Sequence, residues 1–384
     1  MIDFWRRLRP EKPEPSDGQV LRLDHPVVVF QSDDWGRVGV RDRDGWDALK
    51  AAGLNLGEEP YDYYSLETAD DLRALAGVLR KHRDCNGRNP VIGMNFVLAN
   101  VDFEKATSKS EGEIPLVPVT SGLPGNWQRP QLFEVLHQCV AERLFSPALH
   151  GLTHFCPPVV SAERSALNPR GDLLRALWAN QTPYIFWRMP WVGYEYWNPQ
   201  AAPDQRFLAA SEQKSAIEQA ARIFSDFFGK TAVSACAPGY RANTDTNAAW
   251  LDCGVRVRQN GPSETASAPR LEANGLLHTF RTIEMEPATS TCDLASILRS
   301  AEKCFKKGLP AIVSIHSINF HSTLRDFRSP TLELLDHFLT ALETRWPELT
   351  YADDEDLLRL AMAGATQIEQ VKNQSIVHVD EGLA

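Results

Sequence analysis

Residues 26–36 read PVVVFQSDDWG, and they place two carboxylates, Asp33 and Asp34, directly after an apolar run. The continuous apolar stretch from Pro26 to Phe30 is typical of a strand that is buried on both faces, as in a parallel sheet. Two adjacent negative charges repel each other and are costly beside a buried strand. Their position therefore raises the question of what compensates the repulsion.

Apolar runs of this type recur along the chain and alternate with helix-like patterns. The strand-like runs are 26–32, 91–98, 146–150, 232–237, 254–258, 277–283 and 311–316. The helix-like patterns are 65–82, 130–144, 211–228, 292–307 and 331–345, with Ser65 and Ser211 as start signals for two of them. This alternation predicts an α/β fold in which helices cover a parallel sheet or barrel.

Polar residues follow several of the apolar runs directly. In α/β barrels the catalytic groups come from the carboxyl ends of the strands, so these residues are the candidates for a functional site. They are Asp33 and Asp34, His150 and His154, the stretch PGYR at 238–241, and His316. We expect their side chains to converge on one face of the fold.

His150 and His154 are four residues apart, so one turn of helix or a compact loop places both imidazoles on the same side. Position 151 is glycine, so the motif is not H-E-x-x-H, and a third metal ligand is expected from the Asp33–Asp34 pair. Taken separately, the histidine pair is compatible with a structural role, and two aspartates after a strand often cap a helix or shape a turn. Their combination at successive strand ends favours a divalent metal site with open positions, as in hydrolytic zinc enzymes.

Four stretches together carry a resemblance to a known family: SDDWG at 32–36, HGLTHF at 150–155, APGYR at 237–241 and IVSIH at 312–316. They resemble the four main motifs of the polysaccharide deacetylase family, the NodB-homology carbohydrate esterases, and most of all a bacterial branch of it. The resemblance spans roughly residues 25–355. It implies a distorted (β/α)7 barrel with loop insertions, and metal-dependent removal of an N- or O-acetyl group from a sugar.

Carried over position by position, the resemblance makes Asp34, His150 and His154 the metal ligands. It makes Asp33 the general base and His316 the general acid that protonates the leaving group. One carboxylate would then bind the cation while its neighbour takes a proton from water, so the cation also offsets the repulsion between them. The expected cofactor is one divalent metal ion, zinc, with cobalt, nickel or iron as alternatives. A histidine satisfied by one hydrogen bond in the core is the alternative for His316.

One motif departs from the family pattern. The family has an arginine that orients the catalytic aspartate, and this chain has Ala237 at that place. Arg241 is a candidate replacement, although a solvated or phosphate-binding side chain is an equal alternative. The N–H of Tyr240 is the candidate oxyanion donor, and Trp35 is a further candidate contact of the oxyanion or substrate. The missing arginine leaves open whether the chain is fully active.

Two stretches, 99–129 and 157–207, have the composition of insertions into the barrel. The second is rich in tryptophan and tyrosine, and such loops often stack on sugar rings. An aromatic core that packs the insertion onto the barrel is the alternative. The expected organisation is an N-terminal tail at 1–24, a deacetylase-like barrel at 25–360 and a C-terminal tail at 361–384.

The charge balance argues against a general polyanion partner. Forty basic and fifty acidic residues give a formal net charge of −10, so nucleic acid is not an expected ligand. No stretch of 18 apolar residues occurs, and residues 1–18 lack the apolar segment of a signal peptide. These features predict a cytoplasmic protein without membrane contact, except through a lipid-linked substrate.

The sequence thus predicts a metal-dependent hydrolase whose substrate is an acetylated sugar or glycoconjugate, with metal-activated water as the nucleophile. One alternative is a hydrolase of another non-peptide C–N bond on the same barrel. A second alternative, from a different functional class, is a barrel that binds metal or sugar but has weakened catalysis, as Ala237 suggests.

Overall fold

The structure, a computed structural model, describes residues 18–106, 113–262 and 268–364. Its strands are β1 (Gln19–Val20), β2 (Val27–Trp35), β3 (Ile92–Phe96), β4 (Ala99–Val101), β5 (Leu116–Pro118), β6 (Phe145–Leu149), β7 (Ser234–Cys236), β8 (Val257–Asn260), β9 (Arg270–Leu271), β10 (Leu277–Phe280), β11 (Ile283–Glu284), β12 (Ala311–His316) and β13 (Thr350–Ala352). Its helices are α1 (Arg43–Ala51), α2 (Ala69–Leu79), α3 (Phe103–Ala106), α4 (Leu132–Ala141), α5 (Pro157–Ser165), α6 (Pro169–Ala179), α7 (Ala210–Phe228), α8 (Thr244–Asp252), α9 (Leu294–Lys306), α10 (Arg328–Arg345) and α11 (Asp354–Ala363).

The main sheet is parallel at its centre. Each strand in its central row pairs in parallel with the next one. In spatial order these strands are β12, β2, β3, β6, β7, β8 and β10. Strand β13 pairs with the start of β2, the short strand β9 pairs antiparallel with β10, and β1 pairs antiparallel with β9. All seven runs predicted as strands therefore form strands of this sheet, although the run at 254–258 is shifted to β8.

The segment 277–284 connects the two ends of this row of strands. Its first half, β10, pairs with β8, and its second half, β11, pairs in parallel with β12. Between them the Arg281 N–H donates to the Asn260 carbonyl, and the Thr282 N–H donates to the Ile312 carbonyl on β12. One bent segment thus links the two ends of a row of seven parallel strand positions, in agreement with the distorted (β/α)7 barrel that the resemblance implies.

The strands at the centre of the sheet are buried on both faces. All nine residues of β2 and all five of β3 are buried, and β12 is buried up to His316. Helices packed on the outside and side chains filling the barrel interior exclude water from both sides, which explains the continuous apolar runs in the sequence. The polar exceptions inside β2 are Gln31, Ser32, Asp33 and Asp34, and these lie toward the carboxyl end of the strand.

The two predicted helix start signals were wrong. The cap of α2 is Thr68, whose side chain accepts from the Asp71 N–H, while Ser65 lies in the preceding loop. Helix α7 begins at Ala210, so Ser211 lies inside it. Thr68 forms the cap because the side chain of Asp71, three residues later, accepts a hydrogen bond from the Thr68 N–H.

The stretch 157–207 forms α5, α6 and irregular segments, and none of its residues belongs to the barrel strands. In the stretch 99–129, the described residues include a two-stranded antiparallel pair of β4 with β5. The outer parts of both predicted tails, 1–17 and 365–384, lie outside the described residues. Within the residues that the structure does describe, no helix is both long and apolar enough to cross a membrane.

Candidate active site

Asp33 and Asp34 lie at the carboxyl end of β2, where its pairing with β3 is irregular between Ser32 and Trp35. In a regular strand adjacent side chains point to opposite faces. Here Asp34 has a φ of 73°, in the left-handed region that non-glycine residues rarely adopt. Its carbonyl accepts hydrogen bonds from the hydroxyls of Tyr64 (2.7 Å) and Ser317 (3.3 Å), which hold this strained turn. The irregular turn therefore redirects one carboxylate, so that the two neighbours have separate sets of partners.

Asp33 is held by a bidentate ion pair with Arg281. Its Oδ1 accepts from Nη2 of Arg281 at 2.5 Å and from Nδ2 of Asn95 at 2.6 Å, and its Oδ2 accepts from Nη1 of Arg281 at 2.7 Å. Burial by itself would raise the pKa of Asp33, but Arg281, with His150 and His316, holds that pKa well below its usual range. Asp33 is therefore a carboxylate over the whole physiological pH range.

Arg281, rather than Arg241, is the cation that pairs with Asp33. The guanidinium of Arg241 instead lies over the ring of Trp197, 4.7 Å from its centroid. Ala237 is buried. The resemblance places a guanidinium at this position, and in the structure Arg281 of the segment 277–284 supplies it instead. The predicted replacement by Arg241 was therefore wrong. The bend that joins β10 to β11 supplies the arginine.

Asp34, His150 and His154 form a group that could hold a metal ion, since one ligand atom of each lies within 4.8 Å of the others. Oδ1 of Asp34 is 3.0 Å from Nε2 of His154 and 3.6 Å from Nε2 of His150. Ligand atoms bound tetrahedrally to zinc at 2.0–2.1 Å are about 3.3 Å apart, so these separations fit such an ion. The histidines lie on a compact loop, the second of the two arrangements expected from their spacing.

The hydrogen bonds of His150 support this fit. Its Nδ1 lies 2.8 Å from the Cys236 carbonyl, and a carbonyl only accepts, so Nδ1 carries a proton. Nε2 faces a carboxylate oxygen of Asp34 at 3.6 Å, and within the described parts of the chain it has no hydrogen-bond partner. A cation bound between this nitrogen and this oxygen would satisfy both buried atoms. The donor set therefore suits a divalent metal.

The remaining partners of this group orient it. Oδ2 of Asp34 accepts from Nη2 of Arg37 at 3.1 Å, which leaves Oδ1 for the histidines. Burial would raise the pKa of Asp34, but Arg37 and His154 hold it well below its usual range. Burial also lowers the pKa of His154 to about 4 despite the nearby carboxylate, so the imidazole is neutral, as a metal ligand must be.

A second group, Asp33, His150 and Cys236, satisfies the same distance criterion. It is chemically less suited to a metal, because both oxygens of Asp33 already accept from Arg281. Burial and the charge of Asp33 also raise the pKa of the Cys236 thiol well above its usual range, which disfavours the thiolate that a metal needs. The group around Asp34 is therefore the better candidate.

His316 ends β12 beside Asp33, with its Nε2 3.7 Å from Oδ2 of that carboxylate. Its Nδ1 is 2.6 Å from Oε1 of Glu286, and Oε2 of Glu286 is fixed by the side-chain amide of Asn319 at 2.6 Å. Although burial lowers it, the carboxylates of Glu286, Asp33 and Asp34 together raise the pKa of His316 to about 9. At neutral pH this histidine is a cation and can donate a proton.

Two of the predicted oxyanion or substrate contacts are placed differently. Trp35 is fully buried; its Nε1 donates to the Ser32 hydroxyl at 2.8 Å and its ring stacks on Phe320, so it is a core residue. The Tyr240 N–H donates to the Ala237 carbonyl at 2.8 Å and is not available to an oxyanion in this structure. The Tyr240 hydroxyl instead accepts from Nη1 of Arg281 at 2.9 Å.

The aromatic insertion packs mainly as a core. Trp178, Tyr184, Tyr194 and Tyr196 are buried, whereas Trp187, Trp191 and Trp197 are partly exposed. The alternative expectation, an aromatic core that packs the insertion onto the barrel, therefore describes the four buried residues. Of the partly exposed tryptophans, Trp197 has the guanidinium of Arg241 over its ring and Trp191 has that of Arg170.

Three charged residues of the site were missed by the sequence reasoning. Glu286 follows the apolar run 277–283 by three residues, and asking which polar residues follow that run would have found it; Arg281 lies inside the run, where its charge was the available signal. Arg37, three residues after Asp34, gave no signal of its own, because an arginine in a loop is usually solvent exposed.

Comparisons with known proteins found no matching family model and no matching curated protein. Among solved structures, this chain is similar to a protein assigned as a polysaccharide deacetylase from Mycobacterium smegmatis (TM-score 0.47, 10% identity, 91% of this chain and 96% of that one). It is equally similar to one from Pseudomonas aeruginosa PAO1 (0.47, 10%, 89% and 92%), and similar to the PuuE allantoinase (0.46, 10%, 89% and 92%). Similarity this low assigns no activity to the present chain, so function has to be argued from the site.

Proposed function

We propose that this protein is a metal-dependent hydrolase that removes an N- or O-acetyl group from a sugar or glycoconjugate. The observation that carries the proposal is the pairing of two different proton-transfer groups beside one metal-ligand set. Arg281 keeps Asp33 ionised, and Glu286 keeps His316 protonated. Nε2 of His316 lies 3.7 Å from Oδ2 of Asp33. A base and an acid kept in opposite protonation states at neutral pH are what acyl hydrolysis requires.

The group Asp34, His150 and His154 would hold one divalent ion, for which zinc is the first candidate. Bound there, such an ion would polarise the acyl oxygen and acidify a water molecule. Asp33 is the group that accepts the proton of the attacking water, because it is ionised and lies next in sequence to the ligand Asp34. Arg281 and Asn95 both donate to the carboxylate of Asp33, so they fix its direction and restrict its rotation.

His316 is the group that donates a proton to the departing amine or alkoxide. Glu286 accepts from Nδ1 of His316, so the proton on Nε2 is the one directed toward Asp33 and the reacting atoms. An amine is a poor leaving group unless it is protonated, so this step limits amide hydrolysis more than ester hydrolysis. The N-acetyl substrate should therefore depend on His316 more strongly than an O-acetyl ester.

Of the two alternatives, a barrel with weakened catalysis loses its main motivation. That alternative rested on Ala237, where the family arginine is missing. Arg281 provides the missing contact to Asp33 with two hydrogen bonds, so the general base keeps its cationic partner. Hydrolysis of another non-peptide C–N bond uses the same groups, and the substrate panel below separates it from sugar deacetylation.

The experiment that tests the proposal is acetate release by the zinc-loaded protein from a panel of N-acetyl sugars, O-acetyl sugars and non-sugar amides. We expect release from an acetylated sugar and a fall of about 10²- to 10⁴-fold in kcat for Asp33→Asn, since that variant removes the base. Asp71→Asn is the matched control, because Asp71 is likewise buried and paired with an arginine, Arg328, outside the site. Turnover of amides alone would favour the other C–N hydrolase, and an unchanged rate in Asp33→Asn would refute the mechanism.

The alkaline side of the pH profile should report His316. The acid form is required, so activity of the parent is expected to fall as pH rises through about 9. Glu286→Gln removes the carboxylate that raises this pKa, while burial, which lowers it, remains. The alkaline limb of kcat should therefore move toward neutral pH, whereas an identical profile in parent and variant would exclude His316 as the acid. Histidine NMR titration of both proteins measures the same shift directly.

A further inference from the structure

The insertion 157–207 contacts the loop that carries His150 and His154 through three separate elements. Glu195 reaches the middle of the loop, Tyr184 reaches His154, and the Val192 carbonyl accepts from the Cys156 N–H at 2.9 Å just after the loop. The sequence suggested two uses for the aromatic residues of this insertion, sugar stacking and packing. These contacts suggest a third use, which concerns the metal ligands.

Glu195 binds the backbone of the histidine loop. Its Oε1 accepts from the N–H groups of Leu152 (2.8 Å) and Thr153 (3.1 Å), and its side chain is buried. Backbone N–H groups in an irregular buried loop need an acceptor, because an unpaired buried N–H destabilises the folded state. Glu195 therefore satisfies the loop at the point between the two histidines.

The loop is shaped to receive this carboxylate. Gly151 has a φ of 91°, and a Cβ at this position would overlap Oε2 of Glu195. Position 151 thus needs glycine both for its backbone conformation and for space. The close approach shows that loop and insertion are fitted to each other and do not merely lie side by side.

Tyr184 fixes the ring of His154. Its hydroxyl lies 2.7 Å from Nδ1 of His154 and accepts from Nη1 of Arg37 at 2.8 Å. Metal binding at Nε2 of His154 requires the ring proton on Nδ1. Nδ1 then donates to the second lone pair of the Tyr184 hydroxyl, which fixes the ring with Nε2 toward Asp34. The same Arg37 also donates to Asp34, so one guanidinium links the insertion to two of the three ligands.

We propose that the insertion organises the metal site, with Tyr184 and Glu195 as positioning residues for His154 and for the loop that carries both histidines. The inference rests on the proposed function, because it concerns the same metal ligands. His150 is oriented by the barrel itself, through the Cys236 carbonyl on β7. His154 instead depends on a segment outside the barrel strands, so metal affinity should depend on how that segment docks.

The test is the affinity for Zn²⁺, measured by competition with a chromophoric chelator on the full chain. Loss of groups that orient metal ligands typically costs 10- to 100-fold in affinity, and we expect a fall of this size for Tyr184→Phe and for Glu195→Leu. The absorption spectrum of the Co²⁺-loaded protein should change in the same two variants, because the ligand geometry changes. Neither measurement depends on the identity of the substrate.

Conservative variants separate positioning from general stability. Glu195→Gln keeps a side-chain oxygen that can accept from the N–H groups of Leu152 and Thr153, so this variant should retain the parent affinity. Tyr351→Phe is the matched control for Tyr184→Phe, since Tyr351 is buried and its hydroxyl lies 2.8 Å from Glu343. That control should lose some stability and no Zn²⁺ affinity.

The outcomes distinguish this inference from the proposed function. If the parent binds zinc and Tyr184→Phe, Glu195→Leu and Tyr351→Phe all bind it equally well, the organising role of the insertion is wrong and the metal site stands. If folded parent protein binds neither Zn²⁺ nor Co²⁺, the proposed function and this inference both fail. Unchanged Co²⁺ spectra with lowered thermal stability would reduce Tyr184 and Glu195 to structural residues.

Discussion

Replacement of His154 by alanine is expected to remove the metal and, with it, all hydrolytic activity. His154 is one of three candidate ligands, and its Nε2 lies 3.0 Å from Oδ1 of Asp34. Structural zinc sites with four protein ligands bind with about 10–16 kcal/mol, so the loss of one ligand should lower affinity by on the order of 100- to 1000-fold or more. Metal content by plasma mass spectrometry, on tag-free parent and variant purified identically, should give near one equivalent against almost none.

His82→Ala is the control for that measurement. Like His154, His82 is buried and contacts carboxylates, in this case Asp336 and Glu343. It should leave the metal content unchanged. One equivalent retained by His154→Ala at the parent affinity would contradict the assignment, and loss of that metal in Cys236→Ser would then point to the group Asp33, His150 and Cys236.

Arg281→Met should have the largest effect on stability. Arg281 and Asp33 are both almost completely buried, and they share two hydrogen bonds. Removing one partner of such a pair leaves the other charge buried and uncompensated, which costs about 3–5 kcal/mol. Urea denaturation at neutral pH should show this loss, and kcat should fall as well because the general base is no longer held ionised and oriented.

The stability lost in Arg281→Met should depend on pH, because the pKa of Asp33 is shifted in opposite directions in the parent and in the variant. In the parent the depressed pKa of Asp33 contributes stability that is present above its ordinary pKa and is lost as pH falls through the depressed one. Without Arg281, burial should raise the pKa of Asp33 above its ordinary value. The variant then loses stability as pH rises, so the difference from the parent should be smaller near pH 4 than near pH 7.

Arg258→Met serves as the comparison for this experiment. Arg258 lies on β8, and its guanidinium donates to the Asn247 side chain and the Ala242 carbonyl. Its replacement removes an arginine from the barrel while Asp33 keeps its ion pair with Arg281. A stability loss in Arg258→Met equal to that in Arg281→Met, with the same pH dependence, would show that the ion pair has no special role.

Much of the fold could be predicted from the sequence, because its signals are local. Each barrel strand is a short apolar run, and burial on both faces requires such a run whatever its neighbours are. Helix starts were less predictable: Ser65 resembles a cap, but Thr68 has the reciprocal partner Asp71 and forms the cap. A residue type that suits a helix cap does not by itself show which position makes the reciprocal hydrogen bonds.

The candidate site was also partly predictable. Asp33, Asp34, His150, His154 and His316 meet at one end of the barrel, because parallel strands bring their carboxyl ends to the same edge. Trp35 belongs to the same motif, yet its side chain lies in the core with Phe320. A motif identifies the residues of a site, but side-chain direction depends on the irregular backbone at Asp34, which the sequence does not display.

By itself the sequence determined seven strands of the main sheet, five of the helices and the polar groups at the strand ends, since these follow from local hydrophobic patterns. Only the tertiary structure decided which cation pairs with Asp33. Arg281 is 248 positions away from it, and the bent segment 277–284 brings the two together where the barrel returns to its starting strand. The docking of Tyr184 and Glu195 on the histidine loop was decided in the same way. Contacts of this kind depend on how distant segments pack, and packing leaves no periodic pattern along the chain.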